Sequence, residues 1–160
     1  MADGAEAVTM DTVARRLGLA KPTLYRLASS RSALVQMCVD AEAERVLDHI
    51  HAAYARGLGE KPRERLTAGF LALLRHADES PAGFGLLLSG RYAEARPAVR
   101  RIEDRLRELI QREPAAGVPG VEHPEMLAAA LLGAVAAVAR RRAEDGPRPD
   151  LSELVASLAG

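Results

Sequence analysis

A single cysteine, Cys38, stands in 160 residues, so no disulfide can form within the chain. Tryptophan is missing, and there are only two phenylalanines and three tyrosines. Any core must therefore be built from aliphatic side chains. An excess of charge is missing too, because 22 basic residues balance 22 acidic ones. Net charge gives no pull toward a polyanion, and only a local imbalance could. The longest uncharged run, Met126–Ala139, has 14 residues, short of the roughly 18–20 a membrane-spanning helix needs. Residues 1–7 hold neither a basic cluster nor an apolar stretch, which argues against a signal peptide. These absences point to a soluble, cytoplasmic chain with no membrane partner.

Leu, Ala and Arg are abundant and β-branched residues are few, a mix that favours helix. Thr9 is placed to cap a first helix, with Met10, Val13, Ala14 and Leu17 on one apolar face. Gly18 ends it, since glycine accepts the left-handed conformation of a C-terminal turn. A second helix runs from Lys21 to Ala28 with Leu24 and Leu27 facing inward. Ser29 and Ser30 offer the next cap, and a long helix follows from Arg31 to Arg56. Its apolar positions include Leu34, Met37, Cys38, Val46, Leu47, Ile50 and Ala53, so Cys38 reads as a small core residue. Gly57, Gly59 and Pro62 break the pattern.

Further helices are expected over Pro62–His76, from Pro81 through Leu88, from Pro97 through Ile110, over Pro124–Arg142, and around Leu151–Leu158. Pro114–Gly120 reads as a loop. No strand and no repeat is visible. The expected fold is all-α: a helix-turn-helix head over residues 1–44, joined by a long helix to a helical bundle over residues 45–160.

Helix, glycine-containing turn and helix within about 20 residues, on a basic background, is the helix-turn-helix pattern. From Thr9 to Arg31 the basic residues are Arg15, Arg16, Lys21, Arg26 and Arg31, and the only acid is Asp11, a local charge of +4. In such a motif the first helix braces the second, whose outer face offers hydroxyl, ammonium and guanidinium groups to phosphates and base edges.

The wording is more specific than the spacing. Thr9-Met10-Asp11-x-Val13-Ala14, then Gly18-Leu19-Ala20-Lys21-Pro22-Thr23-Leu24-Tyr25, then Ser30-Arg31-x-x-Leu34, resembles the DNA-binding domain of the TetR family of transcriptional regulators. The resemblance implies that Thr9 and Arg31 touch phosphates, and that Lys21, Pro22, Thr23, Tyr25 and Arg26 lie on a recognition helix facing DNA. Packing against neighbouring helices is the other reading of Tyr25.

It also implies a ligand-responsive repressor, working as a homodimer on a palindromic operator of double-stranded DNA. A small apolar effector would sit in the C-terminal bundle. Phe70, Leu74, Phe84, Leu87 and Tyr92 are the candidates to line its cavity, with ordinary core as the other reading. The Ala-rich helix around Gly133, with the Leu151–Leu158 helix, resembles the family's four-helix dimer interface; an internal buried helix is the alternative.

Two departures stand out. The family usually has Ser where Ala20 stands, so a helix cap worth about 1 kcal/mol is lost. The family also has an amphipathic helix ahead of the motif, which residues 1–8 cannot supply. The expectation is a reading frame that begins about 20 residues earlier, and a loosened head in this chain. A dimeric small-molecule-binding or interaction protein that has lost DNA binding is the alternative function.

No set of residues asks for catalysis, a cofactor or a metal. His49 and His51 are two apart and point to different helix faces. His76 and Asp78 read as a solvated helix end. P-loop, nucleophile-elbow and H-E-x-x-H patterns are absent.

Overall fold

Residues 9–113 and 122–145 are described by the computed structural model, and among them lie seven helices and no strand. The order is α1 (Met10–Arg16), α2 (Lys21–Leu27), α3 (Arg31–Arg56), α4 (Pro62–Glu79), α5 (Pro81–Leu88), α6 (Ala95–Gln111) and α7 (Pro124–Asp145). The all-α fold expected from the sequence is the fold found. No helix among the described residues is long and apolar enough to cross a membrane. The expected Pro114–Gly120 loop and Leu151–Leu158 helix lie outside the described residues.

Local chemistry sets most of the helix ends. Thr9 and Thr12 form a reciprocal capping box: Thr12 N donates to Thr9 Oγ1 at 3.2 Å, and Thr9 N donates to Thr12 Oγ1 at 2.9 Å. Gly18 takes φ +65°, and the Leu19 N–H reaches back to the Ala14 carbonyl at 2.9 Å. Ser30 caps α3 by accepting from Ala33 N at 3.1 Å. Pro62 and Pro81 open α4 and α5, where a missing N–H costs nothing.

Two apolar cores share α3. The small one holds Met10, Ala14, Leu24 and Ala28, with Val13, Ala33 and Leu34 packed against it. The large one takes Val39, Ala43, Val46 and Ile50 of α3 and joins them to Leu73, Phe84, Ile102, Leu106 and Val135 of the other helices. α6 is strongly amphipathic: Ala98, Ile102, Leu106 and Leu109 recur at helical spacing and are buried. The packing changes from the small core to the large one between Leu34 and Val35.

Several expectations are corrected. Cys38 is exposed, because the buried stripe of α3 runs through Val39, Glu42, Ala43 and Val46, and position 38 turns away from it. Leu17 and Leu27, expected to face inward, are 60 % and 59 % exposed. Leu17 is the C-cap of α1 and Leu27 the last residue of α2; the small core takes Ala14, Leu24 and Ala28 from these helix ends instead. α6 starts at Ala95, so Pro97 lies inside its first turn, where its N–H would have no helical partner anyway.

The largest correction concerns His76. α4 continues to Glu79, which carries His76 into the bundle, where it is 2 % exposed. Its Nε2 lies 2.8 Å from Oε1 of Glu42, also 2 % exposed. Arg45 Nη1 donates to the other Glu42 oxygen at 2.7 Å. A Cβ on Gly83 of α5 would collide with the Glu42 carboxylate, so the glycine makes room for it. Burial works against ionisation of Glu42, yet hydrogen bonds from Ser80, His76 and Arg45 outweigh it and hold the carboxyl below its ordinary range.

A second buried acid closes the other end of the bundle. Glu113, just past α6, accepts from Arg65 Nε at 2.9 Å, from Arg65 Nη2 and from the Tyr54 hydroxyl. The Arg65 hydrogen bond holds Glu113 below the usual carboxylate range against the opposing effect of burial. A carboxyl that ionises more readily when folded adds stability above its unfolded pKa, and that stability is lost as pH falls through the folded value. Glu113→Ala should therefore lower Tm at neutral pH by several degrees, at about 2–4 °C per kcal/mol for a chain of this size. Parent and variant should converge in acid below the ordinary carboxylate range. A thermal melt series against pH checks this; an equal gap at all pH values would rule out the ionised Glu113 as its source.

Candidate nucleic-acid interface

α1, the turn at Gly18 and α2 form a helix-turn-helix whose two helices meet over Met10, Ala14, Leu24 and Ala28. Leu24 and Ala28 fix the inner side of α2. The opposite side is then set by helical spacing. Lys21 and Tyr25 form one row and Pro22 and Arg26 the next, each pair four residues apart, and all four are exposed. Tyr25 is 48 % exposed, so its ring is not packed away into the head. Thr23 is half-buried at the edge of this face. Thr9 and Arg31 are exposed at the starts of α1 and α3. All seven residues singled out from the sequence thus belong to the same small head, and six of them are open to solvent.

The charge of this face is less than the sequence count suggests. Lys21 Nζ lies 2.6 Å from Asp11 Oδ2 across the turn. The pair is exposed on both sides, so it adds little stability and yields readily to a competing anion. Arg31 feels the carboxylate of Glu94 at the start of α6. That carboxyl is held below its ordinary range, chiefly by the Ser32 hydroxyl, which donates to it at 2.6 Å. This contact ties the first turn of α3 to the bundle.

Among the described residues, the five expected to line an effector cavity are spread over several spaces. Leu74, Phe84 and Leu87 are buried in the large core, with Phe70 and Tyr92 packed at its edge. Leu87 and Tyr92 border a cavity of about 310 Å³ between α5 and α6, together with Leu88, Val99, Arg96 and Glu103. Phe84 borders a second of about 110 Å³ beside α7. Phe70 touches a third of about 20 Å³, too small for any ligand. Sequence periodicity marks which residues are buried. It does not say where packing between two helices leaves a gap.

Residues 1–38 match the family model described as bacterial regulatory proteins, tetR family. The matched stretch takes in α1, α2 and the first two turns of α3. No curated protein matches the chain.

Ala20 occupies the cap position of α2 and gives no side-chain hydrogen bond. Pro22 has no N–H, so the amide of Thr23 is the donor a cap could satisfy; at present it bonds the Ala20 carbonyl at 2.9 Å. Ala20→Ser should stabilise the head by about 0.5–2 kcal/mol. Hydrogen exchange should then show slower exchange across α2 and an unchanged rate in α6. No change in α2 would mean that the cap position does not limit the head.

Proposed function

We propose that the chain is a DNA-binding regulator of the tetR family, a ligand-responsive repressor that works as a homodimer on a palindromic operator. The observation that carries the reading is the solvent-facing side of α2, where Lys21, Pro22, Tyr25 and Arg26 stand clear of the core that Leu24 anchors. A helix presented in this way can enter the major groove, with Thr23 at its edge and Thr9 and Arg31 against the flanking phosphates. In a two-fold dimer the two recognition helices would enter successive major grooves roughly 34 Å apart.

The dimer reading draws support from α7. Leu132, Val135 and Ala136 are buried against the bundle, whereas Met126, Ala129, Ala130, Gly133, Ala134 and Ala137 are exposed. That outer strip is small and uncharged, which allows a second helix to approach closely. For the effector, the candidate space is the cavity between α5 and α6. Its volume is at the lower end of ligand pockets, and Leu87, Leu88, Tyr92 and Val99 give it apolar walls. Its neighbour Glu94 bonds to Ser32 of α3, so a ligand that shifts α6 would act on the helix that leaves the head.

Lys21→Ala and Tyr25→Ala should each weaken binding to a duplex selected from a random pool, by about 1–3 kcal/mol where the side chain reaches a base edge, without changing the oligomer. Binding of the parent should also fall steeply as salt rises. Fluorescence anisotropy measures both; parent-like affinity in the two variants would remove α2 as the recognition helix.

Ala137→Glu should turn a dimer into a folded monomer in sedimentation, since it sets an unpaired charge in a packed interface. A folded dimer in that variant would put the interface elsewhere.

A further inference from the structure

We propose that His49, His76 and Glu79 form a transition-metal site where α3 lies against α4. His76 and Glu79 are three residues apart on α4 and share a helix face. His49 meets them from α3, with its ring centroid 4.6 Å from that of His76 and its Nε2 3.7 Å from Glu79 Oε2. One ligand atom from each of the three lies within 4.8 Å of the others. Donor atoms on one tetrahedral ion, at about 2.0–2.1 Å from it, are about 3.3–3.4 Å apart. The His49–Glu79 separation is already close to that, and the exposed Glu79 arm can rotate to close the rest.

The surroundings prepare both imidazoles as ligands. Nδ1 of His49 lies 2.8 Å from the Arg45 carbonyl oxygen, which can only accept, so that nitrogen carries the hydrogen and Nε2 keeps a lone pair. In the neutral ring of His76 the Nε2 hydrogen faces the Glu42 carboxylate at 2.8 Å, which leaves the lone pair on Nδ1. A carbonyl or carboxylate behind the ring is the outer-shell support that ligating histidines have, and it fixes both tautomer and ring orientation. The charges also suit a cation. Glu42 and Glu79 are negative, Arg45 is turned onto Glu42, and neutral imidazoles leave these five residues at −1.

An ordinary ion pair explains less. His49 and Glu79 are 41 % and 67 % exposed at the side chain, where such pairs gain little, and buried His76 already has Glu42 as its partner. Two imidazole nitrogens and one carboxylate select a borderline divalent ion such as Zn²⁺, Co²⁺ or Ni²⁺ over Mg²⁺ or Ca²⁺. Water completes the shell from the open side. The site goes beyond the regulatory reading above and does not depend on it.

The test is a titration of the untagged full chain with Zn²⁺ by calorimetry and with Co²⁺ by visible absorption. One equivalent should bind per chain. His49→Gln and Glu79→Gln, both at the rim and checked for folding by circular dichroism, should each weaken binding by well over tenfold, since even an outer-shell partner is worth about 10- to 100-fold. His51→Gln and Cys38→Ser, which alter the nearby histidine and the lone thiol, should bind as the parent does. The absence of saturable binding of either ion overturns the proposal. So does binding that survives His49→Gln and Glu79→Gln, or that is lost in His51→Gln or Cys38→Ser.

Discussion

Glu42 is a carboxylate with almost no access to water, and an unpaired charge in that position would cost several kcal/mol. The bundle is arranged to keep it paired. His76 and Ser80 come from the end of α4, Arg45 from the next turn of α3, and α5 carries Gly83 because any side chain there would strike the carboxylate. Three helices are thereby held in one register around a single acid. Apolar packing alone would tolerate sliding, since aliphatic contacts are not directional. The carboxylate supplies direction, and Glu113 does the same at the other end by joining α3, α4 and the end of α6 through Tyr54 and Arg65.

Because α3 carries Glu42, Arg45, His49 and Tyr54, it is fixed firmly over its second half. Its first two turns are held differently. Ala33 and Leu34 pack on the small core of the head, and Ser32–Glu94 connects them to α6, with Asp40–Arg101 just beyond them. The latter contacts are exposed and contribute little. One continuous helix is therefore held firmly in the bundle from Val39 onward, and lightly over the first two turns that lead to α1 and α2.

Much of this was legible in the sequence where a signal is local. Thr9, Gly18, Ser30, Pro62 and Pro81 mark helix ends through backbone chemistry that needs no tertiary context, and the helices begin or end there. Ile102, Leu106 and Leu109 declare their burial because α6 is charged on its other side. The exposed side of α2 followed from Leu24 as its inward anchor. The misses share a different cause. Nothing local shows that α4 runs on past His76, or that an acid on α3 waits for it 34 residues earlier. Cys38 differs from Val39 by only about 100° of rotation, too little for periodicity to resolve on a helix with apolar residues on several sides. Leu17 and Leu27 fit an apolar face by spacing, but burial requires a neighbour, and spacing cannot supply one.

The uneven hold on α3 also bounds what regulation would require. On the proposed function, an effector changes DNA binding only by the difference in its affinity for two head positions. Such couplings are usually about 1–3 kcal/mol. Breaking the Glu42 or Glu113 clusters would exceed that, so the second half of α3 has to move, if at all, as one body with α4. Releasing Ser32 from Glu94, or Asp40 from Arg101, exchanges exposed contacts for water and falls within it. The cavity between α5 and α6 ends next to Glu94, while His49, His76 and Glu79 lie on the rigid side of the helix. On that reading a ligand in the cavity would shift the head, whereas an ion at the proposed α3–α4 site would stiffen the frame against which the head moves.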